Sequence, residues 1–384
     1  MKAVILMDSF KGSLTSEQAG NAAKAGIIRA DAGADVSVYP FADGGEGTLD
    51  AFLKADSKSR RVTISVSGPL GNMTGASYGI LSDDTVVIEI AQAAGLCLLP
   101  VEERNPLYTT TRGVGQLMVH ALNAGYSKFI IALGGSATND CGAGMLKELG
   151  LKIYDAEGLP VEDGALGLSK AASIDDRNLI PSLKDCDVVI ACDVENPLCG
   201  TLGASRVFAP QKGASPKDVE NMDKWIKHFS DIIRKQYPGA DPEARGAGAA
   251  GGLGFAFMTF LNGKMQPGAD VLLERCGIEE KIASSDLVIT GEGKIDGQTA
   301  MGKAPARIAG LAKKHGKTVI AIAGCVGEGY EKCHDAGIDA LFPVMDRAMD
   351  TEEAMRPDVA ISNIERTSFE ISRLLKETSY GKDL

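Results

Sequence analysis

The sequence predicts an α/β protein with two sheets, one parallel and one mixed. Three observations carry this reading. Short β-branched or aliphatic runs recur, each followed by a Gly/Asp cluster and often by a helical pattern, which is the signal of parallel strands. Near residue 60 this alternation breaks into short runs joined by Gly-Pro-Leu-Gly and Ser-Asp-Asp turns, which reads as antiparallel pairing. Glycine is also in excess, at 46 of 384 residues against an ordinary ~7%, and much of the excess falls just after the apolar runs.

In chain order, Ala3–Met7 is the first strand and Asp8-Ser9-Phe10-Lys11-Gly12-Ser13 the loop it opens into. A helix is expected from Ser16 to Ala30, with Thr15 and Gln18 forming a capping box and Ala19, Ala22, Ala23, Ile27 and Ala30 its buried stripe. Val36–Tyr39 is the next strand, leading through Asp43-Gly44-Gly45-Glu46-Gly47-Thr48 into another helix. Arg61–Val66, Ala76–Leu81 and Val86–Ile90 form the antiparallel set. Further strands are expected at Lys128–Leu133, Asp187–Ala191, Asp286–Thr290, Thr318–Ala323 and Ala340–Pro343. Which strand joins which sheet is not fixed by pattern.

Composition excludes several classes. The net charge of −11 argues against a nucleic-acid binder, which needs a basic face. No apolar run approaches the ~18 residues that span a bilayer, and Met1–Met7 is too short for a signal peptide. The eight cysteines include no CxxC pair and read as reduced, mostly buried thiols of a cytoplasmic protein. The four histidines show no zinc spacing.

The strand ends share a chemistry. Besides the two loops above, Phe129–Leu133 opens into Gly134-Gly135-Ser136-Ala137-Thr138-Asn139-Asp140, Val188–Ala191 into Cys192-Asp193-Val194-Glu195-Asn196-Pro197, and Leu287–Thr290 into Gly291-Glu292-Gly293-Lys294-Ile295-Asp296-Gly297-Gln298-Thr299. Ligands of open parallel sheets bind beyond these carboxyl ends. Glycine brings backbone N–H groups close to an anion, lysine adds charge, and carboxylates beside phosphate suggest Mg²⁺. Together the five loops point to a phosphate or nucleotide site. Gly246–Gly251 matches GxGxxG but follows no β-branched strand, so close packing of a small-residue helix, or a backbone nest near phosphate, is the better reading. Gly297–Ala304 nearly matches a P-loop, but Ala304 stands where the Mg²⁺-holding hydroxyl belongs. The protein-kinase motifs are missing.

The blocks at 8–14, 42–48, 134–140, 191–198, 210–215, 246–252 and 290–298 resemble, in order and over about residues 1–375, the bacterial type-1 glycerate kinases. Cys141 and Gln116 stand where that family often has Gly and Glu, and Leu6-Met7 where it often has Ala-Pro. The resemblance implies ATP-dependent phosphorylation of D-glycerate at the 2-hydroxyl, with Mg²⁺. A 3-phosphoglycerate-forming enzyme, a kinase of another small hydroxy acid and a non-catalytic nucleotide-binding protein are the alternatives. It further implies a Rossmann-like parallel-sheet domain of residues 1–60 and 285–384, a mixed-sheet domain of 61–284 inserted into it, and a site in the cleft between them.

The residues accord with that reaction, since phosphoryl transfer asks for positioning and charge neutralisation. Asp193 is the candidate base or Mg²⁺-holding acid, with Asp296 second. Lys11 would meet the transferred phosphoryl group, and Asp8 and Asp43 would hold Mg²⁺ or orient Lys11. Gly134, Gly135, Ser136, Thr138, Asn139, Gly291, Glu292 and Gly293 are expected at the phosphates of ATP. Arg104 and Arg112, bracketing an anion-binding helix start at Thr109–Thr111, are candidates for the substrate carboxylate, with Ser9 and Asn196 as further substrate contacts.

Overall fold

A computed structural model describes residues 1–380 of the chain. The chain divides into two compact units, one of residues 1–43 with the chain from Ala269 onward, the other of Gly44–Gly268. These breaks lie away from the expected ones near 60 and 285, for a packing reason. The helix Thr48–Ala55 lays Leu49 and Phe52 against the strands that follow it, while the helix Ile278–Ala283 packs on Ala304–Lys314.

The first unit holds a five-stranded, all-parallel sheet. Numbered along the chain, its strands are β1 (Lys2–Met7), β2 (Asp35–Val38), β11 (Leu287–Ile295), β12 (Thr318–Val326) and β13 (Ala340–Pro343), in the order β13-β12-β11-β1-β2. Ala3 to Met7 are all buried, as a strand covered on both faces must be. The helix Ser16–Ala30 begins at the Thr15–Gln18 capping box, and of its expected stripe all but the half-buried Ala30 is buried. Gly26 lets it approach the C-terminal helix Pro357–Tyr380, because a Cβ there would overlap the Glu365 carbonyl oxygen. Arg29 fastens the same pair, 2.8 Å from Glu365 and over the Phe369 ring.

β11 corrects one expectation. The segment Gly291–Ile295, read as loop, is strand, paired with β12 as far as Ile295 and Val326. Its glycines are consistent with that pairing: a Cβ at Gly291 would overlap the Ile322 carbonyl oxygen, and one at Gly324 would lie 2.5 Å from the Gly293 oxygen.

The second unit holds a six-stranded mixed sheet of β3 (Arg60–Ser67), β4 (Met73–Ile80), β5 (Thr85–Glu89), β6 (Lys128–Ala132), β9 (Asp187–Ala191) and β10 (Lys264–Gln266), in the order β10-β9-β6-β5-β4-β3. β3, β4 and β5 pair antiparallel and the rest parallel. A small antiparallel pair, β7 (Lys152–Tyr154) and β8 (Ser173–Asp175), lies apart from it. The core is built on Tyr78, Phe129, Phe229, Phe255 and Phe257. No helix among the described residues is long and apolar enough to cross a membrane. Of the eight cysteines, only Cys141 and Cys333 are buried. The expectation of mostly buried thiols fails at Cys192 and Cys325, for example, which are half-buried because they sit where strands run out.

Candidate functional site

In the first unit the carboxyl ends of β1 and β11 gather charge. Asp8 follows β1, and its backbone N–H donates to the Gly291 carbonyl of β11 at 2.8 Å. Its carboxylate accepts the Ser9 N–H at 2.6 Å. Burial, then the nearby Asp43, push the Asp8 carboxyl up to about 7; Glu292 adds to this, while the Ser9 bond and Lys11 oppose it. The structure thus brings together Asp8, Asp43, Lys11 and Glu292, four of the residues singled out from sequence. Lys11 is exposed on a tight turn in which Phe10 and Leu14 exchange backbone hydrogen bonds at 2.9 and 3.0 Å. Gly293 of β11 packs against this turn, a Cβ there lying 3.4 Å from the Phe10 Cα. Ser16 ties the carboxylate-bearing segments together: its Oγ donates to the Met7 carbonyl at 2.6 Å and accepts the Phe41 N–H at 2.7 Å.

Glu292 is buried, and its Oε1 accepts the Thr299 hydroxyl at 2.6 Å while Oε2 lies 3.9 Å from Lys303 Nζ. Burial raises its pKa against those two partners. Asp296 is held differently. Lys294 at 3.1 Å and the Gln298 N–H at 2.9 Å hold its carboxyl below the usual range. That is the geometry of an ionised turn cap.

In the second unit the loop after β6 is packed to its backbone. A Cβ at Gly134 would overlap Gly45, and the Gly134 N–H donates to the Gly44 carbonyl at 2.8 Å. Gly135 has φ +71 and lies over the Glu46 carboxylate. Ser136, Thr138, Asn139 and Asp140 are all buried. Beneath the loop lies Lys212, 2% exposed, donating to Ser136 Oγ at 2.8 Å and to the Thr138 carbonyl at 2.7 Å. Asn139 Nδ2 donates to Ser205 Oγ at 2.9 Å. The stretch Gly246–Gly252 backs this loop. Ala250, Gly251 and Gly252 are left-handed, and a Cβ at Gly251 would overlap the Thr138 carbonyl. Its GxGxxG spacing therefore serves close packing.

The helix start at Thr109–Thr111 is not an open anion site. Asp140 Oδ2 already accepts the Thr111 N–H at 2.9 Å and the Thr111 hydroxyl at 2.8 Å, and Asp140 also takes the Gly142 and Gly144 N–H groups. Arg112 is likewise engaged, by Asp163 at 2.8 Å and by Glu148. Glu89 plays the same part for the helix Thr48–Ala55, accepting the Leu49 N–H at 3.0 Å. Arg104 is half-buried, its Nε 3.4 Å from the Leu99 carbonyl and its backbone pressed against Gly213, next to Lys212. Asp193 is exposed beyond β9, and its Oδ1 accepts the Gly268 N–H at 3.0 Å. Asn196 Nδ2 donates to the Leu202 carbonyl at 2.8 Å. Gln116 offers its side-chain oxygen to the Ser67 N–H at 2.7 Å, a bond a carboxylate would make equally. Cys141 has φ +52, which explains why a glycine suits that position.

Sequence reasoning missed Lys212, Ser16, Thr299, Glu89 and the structural part of Asp140. The lysine lay in a block that had been singled out, but a lysine in a polar turn reads as solvated, and nothing in the local pattern announces its burial. Comparison with known proteins bears on the whole chain. The model of the glycerate kinase family matches residues 3–376. The glycerate kinase of Bacillus subtilis strain 168 is 43% identical over 377 residues, covering 98% of each chain. The glycerate 2-kinase of Escherichia coli K12 is 43% identical over 376 residues, again 98% of each. The crystal structure of a protein assigned as glycerate kinase 2 of Salmonella typhimurium LT2 is similar over the full length of both chains, at 40% identity and a TM-score of 0.84. With relatives matched nearly end to end and a family model running through both units, this chain belongs to the glycerate kinase family.

Proposed function

We propose that the protein transfers the γ-phosphoryl group of ATP to the 2-hydroxyl of D-glycerate, giving 2-phosphoglycerate and ADP. The observation that carries this reading is the cluster of Asp43, Glu292 and Lys11 around Asp8 at adjacent parallel strand ends, in a chain of this family. The name of the Escherichia coli relative, glycerate 2-kinase, supports the 2-position. Such a transfer needs Mg²⁺, and the donor set fits it. Burial, with the Asp43 carboxylate nearby, pushes Asp8 up to about 7, and a hard cation would relieve the repulsion between the two carboxylates. Among the described residues no group of three or more His, Cys, Asp or Glu is arranged to hold a metal alone, as expected for an ion that usually takes one or two carboxylates plus waters and phosphates. Asp8 and Asp43 would hold it, and when bound it neutralises charge on the phosphate oxygens.

The chain's own residues supply the rest. Lys11 meets the transferred phosphoryl group, and Ser136 with Gly135 and Gly293 binds the phosphates, while the buried Thr138 and Asn139 and the close-packed Gly134 and Gly291 support those strand ends and Glu292 orients the charges around Asp8. Asp193 takes the proton of the attacking 2-hydroxyl, while Arg104 pairs with the glycerate carboxylate. Arg112 is left to its ion pairs and Asp296 to its turn. Ser9 and Asn196 orient the hydroxyls. The supply of ATP places the reaction in the cytoplasm. An ADP-release assay across glycerate, lactate, tartronate and glycerol, with and without Mg²⁺, tests the reading. Turnover is expected with glycerate alone and only with metal. Preference for another acceptor would reassign the substrate, and no turnover with any would remove the kinase. The product should show ³¹P coupling to a single methine proton; coupling to a methylene pair means 3-phosphoglycerate.

A further inference from the structure

Lys212 is a buried cation that the mechanism above does not use. It closes the short turn Pro210–Lys212, is 2% exposed, and makes two hydrogen bonds, to Ser136 Oγ at 2.8 Å and to the Thr138 carbonyl at 2.7 Å. No ion pair to it is formed among the described residues; burial lowers its pKa to about 7, with Asp140 opposing. Burying an ammonium this way is costly, and two neutral acceptors return only part of the cost. Packing alone would be served better by an apolar side chain. The direction of the hydrogen bond is informative. In its ammonium form Lys212 only donates, as both of its hydrogen bonds have it, so Ser136 Oγ accepts and its own proton points elsewhere. The hydroxyl finds no other partner among the described residues. Ser136 sits at 8% exposure beyond the carboxyl end of β6, with Arg104 packed on the glycine next to Lys212.

We infer that Lys212 is a positioning residue that turns the Ser136 hydroxyl into a dedicated hydrogen-bond donor for an anionic oxygen of a substrate, a carboxylate or a phosphate. The inference rests on the kinase reading and deepens it. The test compares Lys212→Met, Lys212→Gln, Ser136→Ala and the double variant Lys212→Met/Ser136→Ala, with KM for glycerate, KM for ATP, kcat and a melting curve for each. Wild-type turnover comes first: its absence counts against the kinase reading, whereas full wild-type turnover with unaffected variants counts against Lys212 alone. Lys212→Met and Ser136→Ala should each raise one KM or lower kcat at least tenfold, as loss of a charge-assisted bond does. The double variant should be no more than about threefold worse than the weaker single one, because the two residues act as one unit. Lys212→Gln, which keeps a donor, should recover part of the loss. A rise in KM for glycerate assigns the hydroxyl to the carboxylate, and a rise in KM for ATP to phosphate. Multiplicative losses in the double variant, or wild-type constants in Lys212→Met, overturn the inference. Should Lys212→Met not fold, Ser136→Ala decides: an unchanged set of constants overturns it.

Discussion

At the scale of single residues, the sharpest predictions concern charges of known surroundings. Lys11 stands exposed near the Asp8 carboxylate, and Lys11→Met should lower kcat by roughly 10²-fold, about 2.7 kcal/mol of transition-state stabilisation, with the melting curve unmoved. Asp193→Asn should lower kcat and kcat/KM together by about 10²–10⁴-fold if it takes the hydroxyl proton. Wild-type rates in a folded variant would reduce Asp193 to a cap for Gly268. Asp163 is a stability residue. Against burial, which raises its pKa, Arg112 and Lys147 hold it down to about 2. The folded carboxyl thus titrates below its unfolded value of 3.8. Its contribution is complete above pH ~4 and is lost as pH falls through 2. Asp163→Asn should cost about 1–2 kcal/mol at pH 7 and only a few tenths of that near pH 2. Denaturant melts at the two pH values measure this, and a cost that persisted at low pH would show that the charge is not its source.

At the scale of elements, two glycines of the first unit make opposite predictions. Gly291 lies where β11 meets β12, and Gly291→Ala would force its Cβ into the Ile322 carbonyl, costing about 1–3 kcal/mol and disturbing Glu292 beside it. Gly310 is exposed in the helix Ala304–Lys314 with nothing near its missing Cβ, and Gly310→Ala should stabilise by about 0.5–1 kcal/mol. The same contrast explains what was legible beforehand. A capping box announces itself within four residues, so the helix at Ser16 could be read from Thr15 and Gln18. The apolar runs of β1, β6 and β9 announce buried strands, and the Asp residues after β1 and β9 follow from their ends. Glycine, however, signals both a loop and a close approach of two strands, and Gly291–Ile295 is the second kind. The start of the helix Arg112–Asn123 looked open because its occupant, Asp140, comes from another loop, across β6. Lys212 was hidden for the same reason: its burial is made by residues far from it in sequence.

At the scale of the whole molecule, the chain is divided between two units with separate cores. Residues Gly44–Gly268 form one continuous stretch with the core around Tyr78, Phe129, Phe229 and Phe255. The other unit needs both ends of the chain, since β1 lies between β2 and β11, which are separated by the whole second unit in sequence. The continuous stretch should therefore fold alone. Expressed as residues 44–268, it should give one cooperative denaturant transition and a near-UV CD signal of fixed aromatics. It carries Asp193, Ser136, Arg104 and Lys212 but lacks Asp8, Lys11, Asp43 and Glu292. It should turn over no glycerate at any Mg²⁺ concentration. The full chain should lose its turnover in excess EDTA and recover it when Mg²⁺ is returned, with secondary structure unchanged throughout. A gradual, non-cooperative melt of the fragment would mean that its core depends on the rest of the chain. Turnover by the fragment would mean that the carboxylates of the first unit are not part of the phosphoryl-transfer site.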